Sequence, residues 1–93
     1  MNPPLHPGAF ITAVYLEPHG IKGRAFAAKL GVSPSMVCRL LQGSCGVSPL
    51  MALRLSNAIG NSPESWLAMQ GQHDLWVARK NLDLQQVEVR ASP

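Results

Sequence analysis

Ile21-Lys22-Gly23-Arg24-Ala25-Phe26-Ala27-Ala28-Lys29-Leu30-Gly31-Val32-Ser33-Pro34-Ser35-Met36-Val37-Cys38-Arg39-Leu40-Leu41-Gln42 carries two short amphipathic patterns separated by a glycine. In the first, from about Gly23 to Leu30, Phe26, Ala27 and Leu30 fall on one face, and Gly31 supplies the left-handed residue that commonly ends a helix. In the second, Ser33 then Pro34 reads as a hydroxyl N-cap followed by a ring at the first helical position, so a helix runs from there to Gly43. Two helices crossing through a short turn need a small residue where the backbones approach, a turn glycine, and an apolar anchor on the second helix. Ala27, Gly31 and Val37 supply these, with Leu40 and Leu41 on the same inward stripe and Val32 packing the turn. The spacing predicts a helix-turn-helix over residues 21–42.

The Ser-Pro signature recurs on the C-terminal side. Ser48-Pro49 opens a fourth helix ending at Gly60, and Ser62-Pro63-Glu64 opens a fifth that runs to about Asn81. Upstream, a first helix runs from about Pro7 to Glu17 and closes before Pro18, with Ile11 and Tyr15 turned inward and His6 capping or packing its start. The expected fold is all-α, five helices joined by short loops in one domain over residues 1–81. From Leu82 onward Leu82/Leu84 and Val87/Val89 alternate in opposite parity, so a continuous strand would change faces midway. Residues 82–93 are read as a short C-terminal tail, either disordered or a strand that pairs with a partner chain.

If Val37 faces the core, the 100° step per helical residue sends Ser35, Arg39 and Gln42 to the opposite side. Arg39 can pair in bidentate fashion with guanine, Gln42 with adenine, and Ser35 can meet a phosphate or a base edge. Met36 flanks this face and can touch a thymine methyl, while Ser33 marks a helix start whose N–H groups suit a phosphate. Charge distribution points the same way. The net charge is only +3, but no acidic residue lies between Glu17 and Glu64, an interval holding Lys22, Arg24, Lys29, Arg39 and Arg54. Lys22 and Arg24, at the start of the first helix of the pair, are candidate phosphate contacts. The same residues also fit a solvated surface, and the Ala-Gly-Val spacing also fits a structural helix hairpin with no nucleic-acid role.

Other classes are disfavoured. With 93 residues the chain supports one small core. It contains no apolar run of the length a membrane span needs and no signal-peptide pattern, so a cytoplasmic protein without a membrane partner is expected. Cys38 and Cys45 match no zinc or redox spacing, and Cys38 is read as a small semi-buried thiol. His6, His19 and His73 combine with neither cysteine on one element, so no metal or other cofactor is expected. Five scattered acids offer no paired carboxylates, and no nucleophile-base set can be assembled, so the chain is not read as an enzyme. On the fifth helix Trp66, Met69, Val77 and Trp76 cluster on one side and Leu75 lies opposite Trp66. Leu75 and Trp76 are therefore candidates for a homodimer interface, the competing explanation being a kink at Gly71 that returns the later residues to the core.

Beyond these local readings, His6-Pro7-Gly8, Leu16-Glu17-Pro18, Gly31-Val32-Ser33-Pro34-Ser35, Gly46-Val47-Ser48-Pro49, Ala52-Leu53-Arg54-Leu55, Ser62-Pro63-Glu64-Ser65-Trp66-Leu67 and Asp74-Leu75-Trp76 occur in order along about three quarters of the chain. In these segments the chain resembles the HigA antitoxin family of lambda-repressor-like helix-turn-helix proteins. The resemblance implies a dimeric five-helix protein that binds double-stranded operator DNA, represses its own operon, and neutralises a RelE-like mRNA endonuclease toxin encoded beside it. Alternatives are a free-standing regulator with no toxin, or a protein-binding module with weak DNA affinity. Two departures fall on the DNA side. The family's second helix usually opens with Ser then Gln where this chain has Lys22-Gly23, and the loop after the recognition helix, often basic in the family, is here the uncharged Gly43-Ser44-Cys45-Gly46.

Overall fold

The computed structural model describes residues 4–85. Among them there are five helices and no strand. The first, α1 (residues 7–19), is α-helical over Pro7–Ile11, widens into a π-helical turn over Thr12–Leu16, and closes with Glu17–His19. It is followed by α2 (Gly23–Leu30), α3 (Pro34–Gln42), α4 (Pro49–Ile59) and α5 (Pro63–Gln85).

Local chemistry accounts for most of the boundaries. Ser33 Oγ accepts the Met36 N–H at 3.2 Å, Ser48 Oγ accepts that of Met51 at 3.1 Å, and Ser62 Oγ accepts that of Ser65 at 3.0 Å. Each serine stands before a proline that has no N–H to leave orphaned. His6 caps α1 through its imidazole, Nδ1 accepting the Gly8 N–H at 2.9 Å. At the other ends, Gly31 (φ 76°) and Gly43 (φ 81°) adopt the left-handed conformation that stops α2 and α3.

Two expected boundaries move. Pro18 does not close α1. A proline excludes the carbonyl four residues back, and the chain accommodates it by widening the preceding turn, so that the Glu17 N–H reaches Thr12 O, five residues back. At the far end α5 continues to Gln85, beyond the expected stop near Asn81, because Leu82-Asp83-Leu84-Gln85 contains no helix breaker. It is one continuous helix through Gly71. Of the tail expected over 82–93, residues 86–93 lie outside the described residues.

The core is built from Ile11 and Leu16 of α1, Phe26, Ala27 and Leu30 of α2, Val37 and Leu40 of α3, Val47, the α4 residues Met51, Ala52 and Leu55, and Trp66 of α5. Tyr15 and Leu41, expected inside, are half-buried at its edge. Trp66 is sunk in the core while its Nε1 donates to Gly60 O at 2.9 Å, and Phe10 meets its ring edge-on at 5.8 Å. Backbones come closest where Gly8 lies against Leu40 and Leu41: a Cβ at position 8 would fall on the Leu40 carbonyl. Glycine there lets α1 seat directly on α3. Past Gly71, α5 leaves the body, and only His73 and Trp76 of residues 71–82 are half-buried. No described helix is long and apolar enough to cross a membrane.

Candidate nucleic-acid interface

The core fixes the rotational phase of α3. Val37 and Leu40 are almost fully buried, and this turns Ser35, Arg39 and Gln42 to solvent on the opposite side. Arg39 makes no ion pair among the described residues, and Lys22 and Arg24 at the start of α2 are likewise exposed and unpaired. A desolvation-free guanidinium with its donors unspent can engage a base edge or a phosphate. Met36 is placed differently: it is half-buried against the core and presents only part of its side chain at the edge of this face. The Ser33 hydroxyl is occupied as the α3 cap and lies 3.3 Å from the Ser35 hydroxyl.

An open groove of about 1020 Å³ separates α2 from α3, with Lys22, Gly23 and Arg24 on one wall and Cys38 and Gln42 on the other. Gly23 helps to keep it open. A Cβ there would meet only Leu41 Cδ1 and Val37 Cγ1, both at an ordinary 3.9 Å. Cys38, expected to be semi-buried, is exposed in this groove because the opposing α2 residues are small.

The uncharged loop after α3 is held from beneath. Ser44 donates both its N–H and its hydroxyl to Arg39 O, at 3.0 and 3.2 Å. Val47 N–H donates to Gln70 Oε1 at 2.9 Å, and Gln70 Nε2 donates in turn to Asp74 Oδ1 at 3.0 Å. The buried Gln70 thus ties the loop to α5, a role that no local pattern in its sequence indicates. The His6 ring lies against Gly43 and meets the His73 ring edge-on at 5.1 Å. Burial first, and then the neighbouring His73, hold the His6 imidazole below its ordinary 6.5, against upward pulls from Asp74 and the Cys45 backbone. The fold therefore joins two histidines whose sequence positions share no element. Among the described residues no three His, Cys, Asp or Glu side chains gather as metal ligands.

Arg54, counted by position among the central cations, is otherwise engaged. Its Nη1 donates to Leu30 O at 2.9 Å and to Gly31 O at 3.4 Å. On α5, Leu75 is 53% exposed, as are Leu82 (52%) and, less so, Val77 (38%). Trp76 is half-buried, with Lys80 Nζ lying 4.7 Å from its ring centre.

No family model matches the chain. Individual relatives do. It is 38% identical over 76 residues to antitoxin HigA-1 of Vibrio cholerae, a match covering 82% of this chain and 71% of that protein. The chain belongs to the HigA antitoxin family. It is also 37% identical over 79 residues to virulence-associated protein I of Dichelobacter nodosus, covering 85% of this chain and 73% of the relative. Among solved structures, the Pseudomonas aeruginosa antitoxin HigA with its higBA promoter superposes with a TM-score of 0.87 at 29% identity, covering 97% of each chain. The all-helical helix-turn-helix architecture is thus that of the HigA family, and the relatives include proteins named as antitoxins and as helix-turn-helix transcriptional regulators.

Proposed function

We propose that this HigA-family chain is a dimeric, sequence-specific DNA-binding antitoxin that represses its own operon and neutralises a RelE-like mRNA endonuclease toxin. The observation that carries the DNA reading is the outward face of α3, where Ser35, Arg39 and Gln42 are exposed and Arg39 has no ion-pair partner among the described residues. Support comes from the Pseudomonas aeruginosa relative, described with promoter DNA, whose backbone this chain shares. In this reading α3 enters the major groove. Arg39 and Gln42 pair with base edges, Met36 touches at the rim, and Lys22, Arg24 and the α3 start with Ser33 and Ser35 engage the sugar-phosphate backbone. The exposed Leu75 and neighbouring Trp76 of α5 supply the two-fold contact that sets the spacing of two half-sites.

Arg39→Ala tests it. Loss of a bidentate guanine contact costs about 1 to 3 kcal/mol, so affinity for the DNA upstream of the chain's own gene falls about 5- to 150-fold while toxin neutralisation is retained. If the intact protein fails to bind that DNA at low salt, the reading is wrong.

A further inference from the structure

We propose that Arg54 is a positioning residue for DNA recognition, which sets the crossing of α2 and α3 and thereby the ratio of operator to non-specific affinity. This rests on the DNA-binding reading above. Arg54 sits half-buried on α4, outside the helix-turn-helix, and reaches across to its turn. The two carbonyls it holds, Leu30 O at 2.9 Å and Gly31 O at 3.4 Å, are at the C-terminal end of α2. Such carbonyls lack an intrahelical N–H and carry the negative end of the helix dipole, so a guanidinium is their natural donor. The approach is close enough that a Cβ on Gly31 would lie 3.0 Å from Nη1. Gly31 therefore serves both the left-handed backbone (φ 76°) and access for Arg54.

This link has a geometric consequence. Lys22 and Arg24 at the start of α2 and Arg39 on α3 have to meet the same duplex together, and the turn at Gly31 to Ser33 is the pivot between them. Base-edge hydrogen bonds tolerate donor-acceptor distances of only about 2.7 to 3.2 Å. Attraction of lysine and arginine to the phosphates rests largely on long-range charge and is independent of sequence, so it survives small displacements. Freeing the pivot therefore degrades base reading and leaves backbone attraction in place. Arg54 is also one of the five cations of the acid-free interval, and a direct phosphate contact would give the opposite expectation.

The experiment measures binding of the full chain to its upstream DNA and to a scrambled duplex, over a range of salt concentrations, for wild type, Arg54→Met and Arg54→Lys. For Arg54→Met, operator affinity is expected to fall about tenfold or more, with affinity for the scrambled duplex and the slope of log K against log salt unchanged. Arg54→Lys keeps the apolar stem and a charged donor group but not the fixed planar head, and is expected to lose about threefold on the operator alone. It also answers the question if Arg54→Met fails to fold. Loss of stability by itself would not move the ratio between the two duplexes among folded molecules. Equal weakening on both duplexes with a slope reduced by about one phosphate contact would make Arg54 a phosphate ligand and overturn the proposal. Wild-type operator affinity in a folded variant would overturn it too. Wild type binding neither duplex would instead defeat the DNA reading itself.

Discussion

Adding a single methyl group at position 8 tests how α1 is seated on α3. In Gly8→Ala the new Cβ would fall on the Leu40 carbonyl oxygen and lie 2.9 Å from Leu41 Cα. Ordinary carbon contacts are about 3.5 to 4.0 Å, and neither neighbour is a side chain that can rotate away. The two helices have to separate, loosening the junction around the buried Ile11 and Leu40. Overpacking a core usually costs about 1 to 3 kcal/mol, and because the obstruction here is backbone, about 3 kcal/mol is expected. For a domain of this size that lowers the melting temperature by about 12 to 24 °C. Gly23→Ala is the matched control. Its Cβ finds only ordinary contacts at 3.9 Å, and the stiffened unfolded chain should add about 0.4 to 1 kcal/mol. Thermal unfolding followed by far-ultraviolet circular dichroism compares the two. A Gly8→Ala protein melting within about 4 °C of wild type would show that the close approach is not a constraint on the fold.

Gln70→Leu keeps the bulk but leaves the Val47 N–H without its acceptor. A buried orphan donor costs about 1 to 3 kcal/mol, read as a lower urea midpoint at unchanged slope, and an unchanged midpoint would mean that the loop does not depend on this bond. A second expectation concerns pH. The folded-state pKa of His6 is held below its ordinary 6.5, chiefly by burial and then by His73, with Asp74 and the Cys45 backbone opposing. The unfolded chain therefore takes up the proton first. The contribution of His6 to stability is complete above about pH 6.5 and is lost as the pH falls through the folded value. A protonated Nδ1 also cannot accept the Gly8 N–H. His6→Asn retains an N-cap acceptor without titrating, so its melting temperature should fall less than that of wild type between about pH 7 and pH 5. Equal losses in the two proteins would contradict this assignment.

What was legible in the sequence is what acts over one helical turn. Ser33, Ser48 and Ser62 cap because the hydroxyl, the following proline and the recipient N–H lie within three residues. The phase of α3 follows from Val37 and Leu40 for the same reason. Pro18 misled because its usual effect, closing a helix, has a second solution in a widened turn, and the choice depends on what lies further along the chain. Cys38 misled because its exposure is set by Gly23 and Ala28 on the opposing helix.

The least legible residues are those whose partners are backbone atoms far along the chain. Gln70 meets Val47, and Arg54 meets Leu30, more than twenty residues away. Hydrophobic periodicity has no term for such bonds, because the recipient N–H or carbonyl is the same chemical group at every position. This bears directly on the candidate site. The acid-free interval offers five cations by count, but a cation attracts DNA only with the donors that folding leaves unspent. Arg54 is engaged at the turn, and Lys29 lies with its Nζ 5.9 Å from the centre of the Tyr15 ring. Among the described residues, Lys22, Arg24 and Arg39 remain exposed and unpaired around the α2–α3 groove. The described part of the chain thus offers a duplex a small, localised charge rather than a broad basic surface, and on the proposed reading selectivity comes from how accurately α3 is held.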